Sequence, residues 1–258
     1  MHNDYIKGCF FMNEVVNVLN NHKCIRKYKN QEVPEEILDA IIAGIQRMPN
    51  SINAQHTSVI VVKDQAKKEK LAELVGNQPY VKDSPVFLIF VMDFYKTYLA
   101  GEKAGNKQII HESLEGILAG TFDGGIQLGA AVILAESFGL GTVPIGGIRK
   151  NPEEVIKLLG LPEYTFPLNG LVIGYPDADP DKKIRMPMTG FRHEDGYDKT
   201  KINPSIDVYD EQMDIYLKNI GRKEIEVDYS TNTSNMYKTV YYPKVKGVLE
   251  KQGFKMDK

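Results

Sequence analysis

The chain's strongest chemical hint is Gly146-Gly147, which follows the β-type run Thr142–Ile145 and precedes Arg149. Two adjacent glycines let a backbone approach a flat ligand closely and turn its N–H groups toward it. Gly-Gly after a strand also serves as a plain turn. Asn50, Ser51, Asn53 and Gln55 share one loop, and Gln78 follows the next helix. Amides carry donors and acceptors together, which suits the alternating edge of a pyrimidine-like ring. Helix-to-strand loops are rich in Asn and Ser for their own reasons. His22, Lys23, Cys24 and Arg26 form one basic group, and Lys182, Lys183 and Arg185 form another. Arginine grips phosphate as a bidentate fork, with lysine or histidine adding charge. Each group alone reads as solvated surface. Together they describe one ligand, with a phosphate at one end and a polar-edged planar ring at the other.

Composition narrows the field. Thirty-two Lys and Arg against 34 Asp and Glu leave a net charge of −2, so nothing favours nucleic acid or an anionic membrane as partner. The two cysteines, Cys9 and Cys24, and the histidines at 2, 22, 56, 111 and 193 fall into no metal-ligand spacing. Cationic neighbours activate a thiol, so Cys24 reads either as a reactive group or, preferably, as a small polar residue beside the phosphate. Gly-Xaa-Gly-Xaa-Xaa-Gly, a phosphate-binding lysine loop and a nucleophile elbow are missing from the sequence. Met1-His2-Asn3-Asp4 has no signal-peptide character. The most apolar long segment, Ile117–Leu140, carries Asp123, Gln127 and Glu136, which argues against a membrane span. A soluble cytoplasmic protein is expected.

The elements that must position these residues follow from periodicity. Phe11, Val15, Val18 and Leu19 predict an amphipathic N-terminal helix, and Ile37, Ile41 and Ile45 predict a second after Val33-Pro34-Glu35-Glu36. Val59–Val62, Pro85–Met92, Thr142–Ile145 and Leu168–Tyr175 read as strands, with Pro85–Met92 buried on both faces. A charged helix is expected over Gln65–Val75. Residues 108–139 predict a long helix rich in small residues and buried all round, in a domain centre or against a partner. Asn151 and Glu154 predict a capping box for the next helix. After Pro176 apolar runs shorten, with helices expected at Asp207–Asn219 and Val245–Gln252, so this third reads as an arm.

In order, His22-Lys23-Cys24-Ile25-Arg26, the Pro49–Gln55 loop, Gly76-Asn77-Gln78, Ile145-Gly146-Gly147-Ile148-Arg149 and Lys183-Ile184-Arg185-Met186-Pro187 resemble the nitroreductase family. Within it they are most similar to the oxygen-insensitive nitroreductase A and flavin reductase P branch. The likeness runs from about residue 12 onward and takes in Ala135–Gly141 and His193-Glu194 before Tyr197. It implies an α+β fold with a central, mostly antiparallel sheet flanked by helices, in a homodimer binding FMN at the subunit interface. A single FMN-binding domain would span the chain, with a main body to about residue 175 and a C-terminal arm over about 176–258 wrapping the partner subunit.

On that resemblance His22, Lys23, Cys24, Arg26, Lys183 and Arg185 would hold the phosphate and ribityl chain. Asn50, Ser51, Asn53 and Gln78 would meet the ring's polar edge, and Ile145-Gly146-Gly147 its reactive nitrogen. The implied activity passes hydride from NADPH or NADH through the flavin N5 to small-molecule acceptors (nitroaromatics, quinones or flavins) by a ping-pong mechanism. The cofactor carries the chemistry, so no catalytic side chain is expected. The chain departs from the branch at Lys23 for arginine, Cys24 for serine, and Pro144 where an aromatic is common beside the substrate. Lys218, Arg222 or Lys223 would supply the cation that meets an NADPH 2′-phosphate, though none matches the branch's arginine by position. Two other readings stay open: a flavin reductase with free FMN as substrate, and a flavin-binding or sensing protein without turnover.

Overall fold

Four strands carry the sheet: β1 (Thr57–Val62), β2 (Val86–Asp93), β3 (Gly141–Ile145) and β4 (Thr165–Gly174). They come from a computed structural model that describes residues 13–221 and 228–258. All pairs are antiparallel, in the order β1-β2-β4-β3. Every residue of β2 is buried. Phe87, Ile89 and Val91 enter one core cluster while Val86, Leu88 and Phe90 enter another, as a period of two requires for a strand covered on both faces. β3 lies at an edge, where the N–H that Pro144 lacks is not missed.

Among the described residues the helices are α1 (Glu14–Asn21), α2 (Glu35–Gln46), α3 (Gln65–Leu74), α4 (Pro79–Asp83), α5 (Tyr95–Ala104), α6 (Leu114–Ser137), α7 (Pro152–Leu159), α8 (Ile202–Asn219), α9 (Tyr229–Met236) and α10 (Val245–Lys251). One sheet face packs on α3, α4 and α7 through Leu71, Val81 and Val155. The other packs on α2 and α6 through Leu38, Ile41, Ile45, Ala131 and Ala135. The expected α+β class, a central antiparallel sheet flanked by helices, is what this unit shows.

α6 begins six residues later than the periodicity predicts, because the Ser113 side chain accepts from Gly116 N–H and caps it there. Within this one chain it is buried on one face. Gly120 lies against Met92 and Phe94, and Gly124 against Leu168, where any Cβ would collide. The opposite face leaves Leu114, Leu118 and Phe122 exposed, the last at 71%. By length and composition alone α6 could cross a membrane, but Asp123 at its middle is buried and accepts the Ser51 N–H within the protein.

The chain divides into two compact units, one running to Pro180 and including Tyr242–Lys258, the other Asp181–Tyr241. Tyr242–Lys258, expected within the arm, thus clusters with the first unit. Val248, Leu249 and Phe254 join Met92, Phe94 and Phe166 in a third core cluster of the first unit. In the second unit α8 and α9 meet through Tyr209 and Tyr229 edge to face at 5.5 Å, and through Ser230 on the Asp210 carboxylate. This unit exposes Phe191, Tyr197, Tyr237 and Val240. The expected capping box also fails. Asn151 makes no cap, because its amide donates to Leu74 O and accepts from Lys244 Nζ.

Candidate functional site

The expected site residues occupy three places in the first unit and one in the second. The first place follows α1. Ile25 N–H donates to Thr142 O and Cys24 forms a bridge with Thr142, so the basic segment lies along the start of β3. His22 Nδ1 stands 2.7 Å from Glu136 Oε1, which also accepts from Thr142 Oγ1 at 2.8 Å. That contact turns His22 Nε2 toward Cys24 Sγ, 3.8 Å away. Lys23 pairs with Asp179 at 2.5 Å and Lys27 with Asp177 at 2.9 Å. Arg26 is exposed and, among the described residues, meets no acid. Burial, and next the nearby Cys24, push the Tyr28 hydroxyl far above its ordinary pKa, so it stays a donor to Ile25 O at 2.5 Å and fixes this segment's curve.

The second place lies at the far end of the same strand. Four residue steps separate Thr142 from Gly146, roughly 13 Å at ~3.3 Å per residue. β3 thus acts as a ruler between the basic segment and the double glycine, on the scale of a mononucleotide. Gly146–Arg149 is a tight 3-10 turn. A Cβ on Gly147 would stand 2.3 Å from Val75 O and 3.0 Å from Gln78 Nε2, so Gln78 lies against this turn. Gln78 Nε2 donates to Val75 O and its Oε1 accepts from the Tyr80 hydroxyl at 2.5 Å, so the orientation of the amide is set. Tyr80 is a residue the sequence reading missed. Arg149 turns inward: it donates to Leu168 O and lies 5.5 Å over the Tyr242 ring. It is a brace for the turn rather than a free cation.

The third place is the amide loop. Ser51–Asn53 forms a single 3-10 turn in which Ile52 and Asn53 have φ of 48° and 58°, followed by Gln55 at 54°. Ser51 N–H donates to both oxygens of Asp123, at 3.2 and 3.0 Å, and Gln55 N–H to Asn50 Oδ1 at 2.9 Å. Beside it, Pro49, Asn50 and Ser51 face Leu118, Phe122 and Ile126 of α6 across a recess of about 650 Å³.

Lys183 and Arg185 belong to the second unit, both exposed. Arg185 donates only to the carbonyls of Lys183 and Ile184, and Tyr209 donates to Ile184 O. Of the expected nicotinamide contacts, Pro144 is exposed on β3, and Lys218 is already paired with Asp214 one helical turn back. Arg222 and Lys223 lie outside the described residues.

Fold and site together define an α+β protein whose sheet edge suits a planar, phosphorylated ligand. The nitroreductase family profile matches residues 19–175, and that of the nitroreductase C-terminal domain matches 183–257. The chain belongs to the nitroreductase family. An FMN reductase [NAD(P)H] of Bacillus subtilis is 45% identical over 250 residues, covering 96% of this chain and all of that protein. Among solved structures, NfrA2 of B. megaterium superimposes with a TM-score of 0.93 at 44% identity, covering 96% of this chain and 100% of its own. An NADPH:FMN oxidoreductase from Vibrio harveyi complexed with NAD+ gives 0.84 at 29% identity, covering 93% and 98%.

The donor set fits FMN. Arg26 in the first unit, and Lys183 and Arg185 in the second, each pair with no acid among the described residues. At Gly146 the nearest atoms to an added Cβ are the Arg149 guanidinium at 3.4 Å and the Tyr242 hydroxyl at 3.9 Å, leaving backbone open to a flat ring.

Proposed function

We propose that the protein is an FMN-dependent NAD(P)H oxidoreductase that reduces small electron-poor acceptors. The observation that carries this reading is the end-to-end similarity to the B. subtilis FMN reductase [NAD(P)H]. When bound, FMN supplies the relay that takes hydride from a reduced nicotinamide and passes it to the acceptor. The chain's part is position and charge. His22, Cys24 and Arg26, with Lys183 and Arg185, hold the phosphate end, and Lys23 steadies the segment through Asp179. Gly146, with Ile145 before it, leaves room at the ring face and Gly147 lets the turn pack under Val75 O, while Gln78 and the Asn50–Asn53 loop offer donors and acceptors to the ring edge.

Nitroreductase-family proteins are generally dimers that act on small molecules, and this chain is read as a cytoplasmic homodimer. The exposed Leu114, Leu118 and Phe122 stripe of α6 supports that reading, because an apolar helical face in water seeks cover. The exposed aromatics of the second unit suit an arm laid on a partner subunit. Nitroaromatics and quinones are the expected acceptors. Free flavin as substrate is the second reading, favoured by the name of the B. subtilis relative. With Lys218 engaged by Asp214, NADPH and NADH are both kept as reductants.

Anaerobic titration of the purified yellow protein with NADPH and NADH side by side tests the core of this. The flavin absorbance should bleach and return on adding a nitroaromatic. FMN that neither nucleotide reduces would leave a binding protein without turnover. Arg26→Ala or Arg185→Ala should each weaken FMN affinity about tenfold or more, because a charge-assisted phosphate contact contributes about 1.5–3 kcal/mol. Unchanged affinity in both would remove the phosphate assignment.

A further inference from the structure

The loop that carries Asn50, Ser51 and Asn53 is held in a conformation its own residues disfavour. Ile52 is β-branched and sits in the left-handed region, φ 48°, where such residues are rare. It is also 93% exposed, so no packing of its own side chain keeps it there. Asn53 and Gln55 share that region. Strain of this kind persists only where neighbours over-determine it, and it concentrates at ligand sites.

What holds the loop is a charge buried elsewhere in the chain. Asp123 lies at the middle of α6, 2% exposed, and both its oxygens accept the Ser51 N–H. His56 Nε2 stands 3.0 Å from Asp123 Oδ2, at ion-pair distance, and the ring is 3% exposed. The imidazole stacks on Phe94 with centroids 4.8 Å apart and planes 15° from parallel. Nδ1 and Nε2 are both buried, and neither makes a hydrogen bond, so the ring meets Asp123 through proximity alone. A carboxylate and an imidazole are costly to bury, and this pair has no part in the hydride chemistry described above.

We propose that Asp123 and His56 form a latch that sets the Asn50–Gln55 loop in its left-handed form, so that its amides meet the flavin ring edge. Both are positioning residues: Asp123 grips the loop backbone, and His56, locked on Phe94, aims the carboxylate. The proposal rests on the FMN reading above.

The test compares Asp123→Asn, which keeps volume and one acceptor oxygen, with Asp123→Leu, which removes both. Ala131→Gly, in the same helix but away from the loop, serves as the stability control. Hydrogen exchange at the Ser51 and Gln55 amides, FMN affinity by flavin fluorescence, and melting of the FMN-free protein are measured together. In Asp123→Leu, Ser51 exchange should quicken and FMN affinity fall, each about tenfold or more, the equivalent of one hydrogen bond to a charged acceptor. Asp123→Asn should lie between it and wild type. Where Asp123→Leu fails to fold, Asp123→Asn against Ala131→Gly decides. Loss of FMN affinity no greater than in a control of equal melting loss would overturn the latch, as would unchanged Ser51 exchange. Wild-type protein that takes up no FMN overturns instead the reading beneath it.

Discussion

The two loops proposed to meet the flavin are kept in shape by opposite means. The Gly146–Arg149 turn exists because a side chain is missing: Gly147 packs so closely under Val75 O that no Cβ fits. The Asn50–Gln55 loop exists because a side chain is supplied from 72 residues away, the Asp123 carboxylate under Ser51. The first is broken by adding an atom, the second by removing a partner. They are linked through the core, since Gly124, next to Asp123, packs on Leu168, whose carbonyl accepts from Arg149.

The comparison can be pressed from its most costly break to its mildest. His56→Ala should cost most, about 3 kcal/mol or more of unfolding free energy by chemical denaturation, because it empties a buried space beside Asp123 that the ring fills by stacking on Phe94. A loss below about 1 kcal/mol would mean that Asp123 is satisfied by Ser51 alone. Gly147→Ala comes next, at about 1–3 kcal/mol for overpacking against backbone, with Gln78 displaced. Gly146→Ala is the sharpest probe. Its Cβ meets only ordinary contacts, so stability should stay within about 0.5 kcal/mol, while FMN affinity drops if the ring lies on that backbone. Equal FMN affinity in Gly146→Ala and wild type would move the ring off this turn.

The elements that could be read in the sequence were those whose pattern is local. Pro85–Met92 announces a doubly covered strand because all its side chains are apolar. β4 begins three residues before its expected start and takes in Pro167, which sits beside the register shift at Phe90/Val91, where a ladder tolerates it. α9, YSTNTSNM, has no apolar period and forms behind an Asp228 cap, which accepts from Thr231 N–H. Asn151 looked like a cap until its amide was drawn off by Leu74 and Lys244.

The site divides the same way. The glycines, Gln78 and the basic segment stood out by residue type, and the strand between two of them supplied a distance. Asp123 entered the sequence reading only as a residue that argues against a membrane span. Its partners are Ser51 and His56, and no spacing rule connects residue 123 to either.

The return of Val248, Leu249 and Phe254 to the first unit's core changes what residues 181–241 are. They are not a tail but an inserted excursion, tethered at Pro180 on one side and Tyr242 on the other. A protease that nicks this excursion should leave two fragments still fastened together through the core, migrating as one particle until denaturant is added. Shortening the chain from residue 258 would remove Phe254 long before it trimmed any of the excursion. Excising 181–241 and joining the two tethers is the cut that would take away the second unit while sparing the first.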